Sequence, residues 1–313
     1  VEVVAVVRES SVAEEVNPHC RTSRRSIARP HWIDQLPVLG VGLGFRRPLA
    51  RQIVESQSEI DFLEIITEHY LDPTEFQIRE LMELQQRFPL IPHGLSLSPG
   101  TSEDAPVDYL DSVASLVDRV KAPWWSDHLA VTRVGRIDIG HLSPVQFTEE
   151  ALAISCENIL RATKRIRAPF IIENIAYNFQ LPGAEMSEGG FLTRLLESTD
   201  SGLLLDLMNL HANATNHKYD PFEFLSEIPL ERVVQVHIIG GHFDQGVLVD
   251  SHSHSTPGEV WEMLDYVSER TVINGVLLEW DDHFPDMNTI LADLAEARTI
   301  LSRRGHEPGR VTA

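Results

Sequence analysis

Imidazoles and carboxylates recur along the chain at the ends of short apolar runs. In order they are Glu68-His69-Tyr70, His93, Asp127-His128, Glu173-Asn174, Asp206 with Asn209 and His211, His237 with His242, then Asp250, His252 and His254, and finally Glu279, Asp281, Asp282 and His283. Each alone has an ordinary reading as a hydrogen-bonded polar residue, an Arg-paired carboxylate or a helix cap. Together they do not. Several carboxylates gathered at one mouth without compensating charge are costly to bury, and burial pushes their pKa values up until some are protonated. Arg46 is the main basic residue near these positions. Bound cations would neutralise the carboxylates and use the neutral imidazoles as further ligands. The donors are nitrogen and oxygen; with only Cys20 and Cys156 in the chain there is no thiolate cage. Such a set suits iron, manganese or zinc. It exceeds what one ion needs, so two or three ions sharing bridging carboxylates fit better. Repeated His/carboxylate sets with open positions suit Fe(II) that must take a substrate donor and dioxygen together.

The elements that must carry these residues alternate. The β-type runs are Val38–Phe45, Asp61–Ile66, Leu90–Leu97, Pro123–Leu129, Phe170–Ile175, Gly202–Met208, Val233–Ile239 and Val276–Trp280. Several are apolar throughout, as parallel strands covered on both faces are. Helical spacing of apolar residues marks Glu75–Arg87, Asp108–Val120, Glu149–Ile166, Gly258–Glu269 and Met287–Arg303, and Thr148 caps the third of these. Strands alternating with helices predict a (β/α)8 TIM barrel, whose functional side chains sit at the C-terminal ends of the strands. A doubly wound open sheet is the alternative. Gly40-x-Gly42-x-Gly44 lacks the spacing of a dinucleotide-binding loop and is expected to let the first strand turn tightly at the mouth. Residues 1–37, with basic Arg21, Arg24, Arg25 and Arg29, are expected to form a flexible extension. Residues 38–303 form the barrel, and 304–313 a tail.

A formal charge of -21 argues against nucleic acid as a partner. It suits a partner or peptide leader with basic segments, whose affinity would fall as salt rises. No apolar run approaches the roughly 20 residues of a membrane span, and the first residues lack the features of a secretory signal. Two cysteines build no disulfide framework, which points to a reducing cytoplasm. Cys156 shares the apolar side of its helix with Leu152 and Ile159 and is expected in the core.

Eight ordered motifs then resemble one family. They are Gly-Val-Gly-Leu-Gly-Phe-Arg (40–46), His-Gly-Leu-Ser-Leu-Ser-Pro-Gly (93–100), Ser-Asp-His-Leu (126–129), Glu-Asn-Ile (173–175), Leu-Asp-Leu-Met-Asn (205–209), Val-His-Ile-Ile-Gly-Gly-His (236–242), Asp-Ser-His (250–252) and Leu-Leu-Glu-Trp (277–280). This pattern resembles the multinuclear non-haem iron-dependent oxidative enzymes. The resemblance implies a barrel holding two or three irons as Fe(II) and Fe(III). It implies dioxygen as co-substrate and oxidation of a ribosomally made precursor peptide, commonly at cysteine. A partner protein often presents that peptide. Carried over by position, it makes His93, His128, Glu173, Asp206, His237, Asp250, His252 and Glu279 metal ligands, with Asn209 a further ligand. Glu173 and Asp206 become the bridges. Asp127, Asn174 and His242 would orient imidazoles, Asp127 being counted with His69 and His254 as a catalytic candidate; the latter two would shuttle protons. Two departures stand out: Glu68-His69-Tyr70 where the family has Glu-Asn-Tyr, and an extra imidazole in Ser251-His252-Ser253-His254. The rivals are a zinc- or manganese-dependent barrel hydrolase or sugar-isomerase-like enzyme, and a non-catalytic metal or peptide carrier.

Overall fold

A run such as Phe62-Leu63-Glu64-Ile65-Ile66 is apolar on both faces, so it needs cover on both sides. The computed structural model of the chain describes residues 29–135, 137–303 and 305, and supplies that cover with a closed parallel barrel ringed by helices. In chain order the strands are β1 (Gly40–Gly44), β2 (Leu63–Ile66), β3 (Leu90–Gly94), β4 (Trp125–His128), β5 (Val131–Val134), β6 (Ile137–Ser143), β7 (Phe170–Glu173), β8 (Gly202–Asp206), β9 (Val233–Ile238), β10 (Gly240–Asp244), β11 (Val247–His254) and β12 (Gly275–Leu278). The barrel runs β1-β2-β3-β4-β7-β8-β9-β12, and β12 closes it by pairing in parallel with β1. This is the expected TIM barrel. Two antiparallel hairpins, β5–β6 and β10–β11, are inserted after β4 and β9.

Residues two apart on a strand share a face, and this period builds the interior in two storeys. Phe62, Ile91, Trp124, Ile171, Leu204 and Leu277 form a separate apolar cluster with Ile33, Leu39 and Val234, distinct from the larger shell between strands and helices. Two residues further along the same strands stand Glu64, His93, Ser126, Glu173, Asp206 and Glu279, all buried. The lower storey is oily and packed; the upper one is polar.

Gly42 of β1 serves this interior rather than a turn, because 40–44 is continuous strand. A Cβ on Gly42 would lie 2.6 Å from the Phe62 ring, and one on Gly275 3.0 Å from it. Backbone without side chains on two neighbouring strands makes the room that ring occupies.

Residues 29–37, which the sequence reading sets outside the barrel, pack on its lower end. The short helix His31–Asp34 pushes Ile33 into the apolar cluster. Arg29 bonds Asp34 at 2.9 Å, Thr271 at 2.8 Å and Asn274 at 3.1 Å. Residues 1–28 lie outside the described residues, as do 304 and 306–313 of the expected tail.

Four of the five expected helices stop or start within two residues of their expected ends, and Met287–Arg303 matches. The run Gly202–Met208 breaks early: β8 stops at Asp206, whose side chain accepts the Asn209 backbone N–H at 2.6 Å and caps the helix Leu207–His217. Cys156 is buried in the helix Glu149–Arg165, in the core cluster.

Candidate metal centre

The upper storey and the hairpin β10–β11 bring the ligand candidates together. On β3, His93 points Nδ1 at Ser126 Oγ, 2.7 Å away, and Nε2 at Glu173 Oε2, 3.2 Å away. On β4, His128 donates Nδ1–H to the Gly94 carbonyl at 3.0 Å and places Nε2 3.4 Å from the same Glu173 oxygen. A carbonyl only accepts, so the proton of a neutral His128 sits on Nδ1 and Nε2 carries a lone pair. Burial pushes the pKa of His128 down to about 4, with Glu279 opposing, and holds that of His93 well below its usual value, helped by His128. The lone pair of neutral His128 Nε2 therefore faces a carboxylate oxygen, and His93 Nε2 does the same when Ser126 accepts from its Nδ1–H. That contact is repulsive unless a cation or a proton lies between them.

Glu173 joins this corner to a second one. Its other oxygen lies 3.7 Å from His237 Nδ1, which is also 3.8 Å from Asp206 Oδ2 and 2.9 Å from Glu279 Oε2. His237 Nε2 lies 3.0 Å from Glu64 Oε2. Donation there would leave Nδ1 free to ligate, in the outer-carboxylate arrangement usual for metal-bound histidine. At the rim, β11 contributes His252, with Nε2 2.9 Å from Asp250 and Nδ1 3.5 Å from Glu279 and 3.0 Å from Asp281. Arg46 pairs with Glu279 at 3.2 Å and with Asp281.

Among the described residues, three sets of donors have ligating atoms within 4.8 Å of one another in the buried part: His93-His128-Glu173, Glu173-Asp206-His237-Glu279 and Glu64-His93-Glu279. A fourth, His252-Glu279-Asp281, stands at the rim. Six buried atoms of the expected ligands make no well-directed hydrogen bond, Glu173 Oε2, Asp206 Oδ2, Asn209 Oδ1, His237 Nδ1, Asp250 Oδ1 and His252 Nε2, the two imidazole nitrogens meeting only the carboxylates of Glu279 and Asp250. Orphaned buried polar atoms are rare and costly. Here Glu173, Asp206 and His237 belong to the buried donor sets and His252 to the rim set, where cations with several oxygen and nitrogen ligands would satisfy them.

The structure separates the remaining candidates from this set. Asp127 faces the other side of β4 from Ser126 and His128. Its carboxylate accepts the backbone N–H of His128 at 2.8 Å and of Leu97 at 3.1 Å, and the Tyr109 hydroxyl at 3.4 Å. It props the β3 and β4 ends from behind and does not meet the ligating atoms. Asn174 likewise ties strands, exchanging hydrogen bonds with the Asp206 backbone at 2.9 Å each way. His69 is exposed on the turn Thr67–Tyr70, in a small rim cavity with Arg46 and Asp281. His254 is exposed at the end of β11, its ring 5.5 Å from that of His242. Neither touches the ligand set.

Three contributors escaped sequence reasoning. Glu64 is buried beneath His237, and Gln235 donates to it at 2.5 Å while accepting the Trp124 indole N–H at 2.8 Å. Ser126 orients His93. A signal existed for the first two: Glu64 is the lone polar residue of its strand, and Gln235 stands two residues before His237 on the same face.

The electrostatics yield a prediction for the metal-free protein. Burial and neighbouring Asp250 push Asp206 up to about 7, and burial raises Glu173 well above its usual range. For His237 and His252 burial opposes the charge, but it is outweighed by Glu64 and Glu279 around the first and Asp250 and Glu279 around the second, so both rise well above 6.5. Raised folded-state values mean that the folded chain holds more protons than the unfolded one above pH 6.5, so stability falls as pH rises there. The depressed values of His93 and His128 act only below 6.5. Metal-free protein is therefore expected to lose melting temperature between pH 6.5 and about 8, while metal-loaded protein does not. Paired melting curves over that window check this; equal slopes would remove the argument.

The fold and its donor set can now be placed among known proteins. Residues 40–302 match the family model described as RiPP precursor modification enzyme MbnB/TglH/ChrH. The chain belongs to this family. A relative from Caulobacter vibrioides, called a UPF0276 protein, is 34% identical over 272 residues, covering 86% of this chain and 97% of its own. One from Alcanivorax borkumensis, with the same name, is 34% identical over 275 residues, covering 83% and 90%. Among solved structures, endonuclease IV from Thermus thermophilus superposes with a TM-score of 0.53 at 16% identity, covering 84% of this chain and 99% of that one; this likeness is one of fold. Family membership makes the chain an enzyme of precursor-peptide modification, and its buried donor clusters are able to hold several metal ions. No helix among the described residues is long and apolar enough to cross a membrane.

Proposed function

We propose that this enzyme oxidises a precursor peptide at cysteine with dioxygen, using two or three non-haem iron ions held as Fe(II) and Fe(III). The observation that carries the metal reading is the convergence of Glu173, Asp206, His237 and Glu279 in one buried donor set, three of them with a ligand atom that makes no well-directed hydrogen bond. Membership of the precursor-modifying family supports the peptide substrate, and the absence of thiolate from the donor sets favours iron over a cluster or copper(I). In this reading the ligands are His93, His128, Glu173, Asp206, Asn209, His237, Asp250, His252 and Glu279. A partner protein presents the peptide.

Iron held there would supply Lewis acidity toward a thiolate and redox capacity toward dioxygen. The chain's own residues do the rest. Ser126 and the Gly94 carbonyl fix the rings of His93 and His128 so that both Nε2 atoms aim at one point. Glu173, reached by imidazoles from both sides, is the bridge between corners. Asp206 is anchored through one oxygen by the helix it caps and offers the other inward. Arg46 balances Glu279 and Asp281 at the entrance, and the rim imidazoles His69 and His254 stand where protons exchange with solvent.

Anaerobic purification followed by metal analysis, with turnover of a cysteine-bearing precursor followed by mass spectrometry, tests this reading. The expected result is two or three irons per chain and product only when oxygen is admitted. Zinc or manganese with full activity in the absence of oxygen would instead assign a hydrolase or isomerase.

A further inference from the structure

Beside the mouth, between the loop after β7 and the helix Pro221–Glu227, lies a cavity of about 380 Å³ that the metal chemistry does not use. Its lining holds five aromatic rings and three glutamates and no Lys, Arg or His. Glu188 contributes a carboxylate that accepts the Tyr177 hydroxyl at 2.8 Å. Tyr219 contributes a buried hydroxyl with no partner. Phe179 stands at the rim, 60% exposed, with Glu223 and Glu227 also exposed there.

We propose that this cavity binds the guanidinium or ammonium group of a basic side chain on the peptide substrate, and this rests on the peptide reading above. Aromatic faces attract a cation by their quadrupole, and carboxylates supply the opposite charge together with directed acceptors. The N-terminal end of the helix Glu188–Thr199 opposes a cation with about half a unit charge. Three glutamates outweigh it. Tyr219 Oη, which has no partner, would accept one N–H of the incoming group. Burial raises the Glu188 pKa to about 7 against the Tyr177 hydrogen bond, and an organic cation beside it would hold it ionised. The position suits a substrate that also reaches the metal centre. Tyr177 follows Glu173 by four residues, so the two Cα atoms lie within about 14 Å, a span that about four extended peptide residues cover.

Isothermal titration of the full metal-loaded chain with Ac-Ala-Arg-Ala-amide, its norleucine analogue and n-butylguanidinium tests the assignment. The arginine peptide is expected to bind saturably and to compete with n-butylguanidinium, and the norleucine peptide at least roughly tenfold more weakly. Glu188→Gln should weaken the arginine peptide by roughly tenfold, and Phe179→Ala, a rim change that spares the fold, by roughly threefold. Equal binding of the norleucine peptide, no saturable binding of the arginine peptide, or indifference to both variants overturns the proposal. Binding of n-butylguanidinium with exclusion of the peptide also overturns it, by assigning the cavity to a free small cation. Precursor oxidation by the wild type, followed in parallel, separates the two readings. Oxidation without arginine binding sinks the cavity alone; arginine binding without oxidation sinks the proposed chemistry.

Discussion

Glu173→Gln is expected to abolish the shared metal site, with precursor oxidation reduced by roughly 100-fold or more and at least one metal ion lost per chain. Changes to groups that merely orient a ligand typically cost about 10–100-fold, and Glu173 stands closer than that. One of its oxygens faces His93 and His128 and the other faces His237. The amide keeps the shape but loses the charge and one acceptor, so it no longer bridges. The same change carries an opposite sign in the metal-free protein. A buried carboxyl among Asp206, Glu279 and Glu64 is costly to ionise, and glutamine removes that cost. Melting temperature at about pH 8 should therefore rise in the metal-free variant and fall in the loaded one. Full metal content with undiminished turnover would show that Glu173 is a bystander.

Trp124→Ala is expected to destabilise the chain by roughly 3–5 kcal/mol, the usual cost of removing a large buried aromatic. Trp124 is fully buried in the apolar lower storey, against a barrel interior with little freedom to collapse. It also donates to Gln235, which donates to Glu64, which touches His237. Trp124→Phe keeps most of the packing and removes that first hydrogen bond, so about 1–2 kcal/mol is expected from it. Its distinguishing signature is weaker metal binding, because the relay that orients His237 loses its anchor. Urea unfolding of metal-free protein measures the first effect and metal titration the second. A cost below about 1 kcal/mol for the alanine variant would mean that the lower storey is loosely filled.

The barrel was legible because its strands are apolar runs of the right length and its helices carry an apolar stripe and caps. Thr148 marks a helix start in the sequence and caps it in the structure, where Thr74 caps another. The ligand candidates were legible because in a parallel barrel the last inward residue of each strand faces the mouth. Other features had no local signal. β6 is mostly exposed, so no burial pattern announces it. Asp127 looked like its neighbour His128, and the one-residue step that puts them on opposite faces depends on register. The purpose of Gly42 lies in the Phe62 ring of the next strand, which no window around Gly42 contains. Residues 29–37 read as an arm because the surface they cover is assembled from distant strands.

The closure of the barrel has a consequence for how the enzyme is made. β1 completes its ladder only with β12, and the candidate ligand Glu279 follows directly after β12. A nascent chain that has emerged only to residue 270 has its imidazoles but neither the closing strand nor the carboxylate that His237 and His252 share. Pairing of segments more than two hundred residues apart is entropically slow. Completion of the Glu279-containing sets is thus tied to synthesis of the last barrel strand, while His93, His128 and Glu173 stand on strands made well before it.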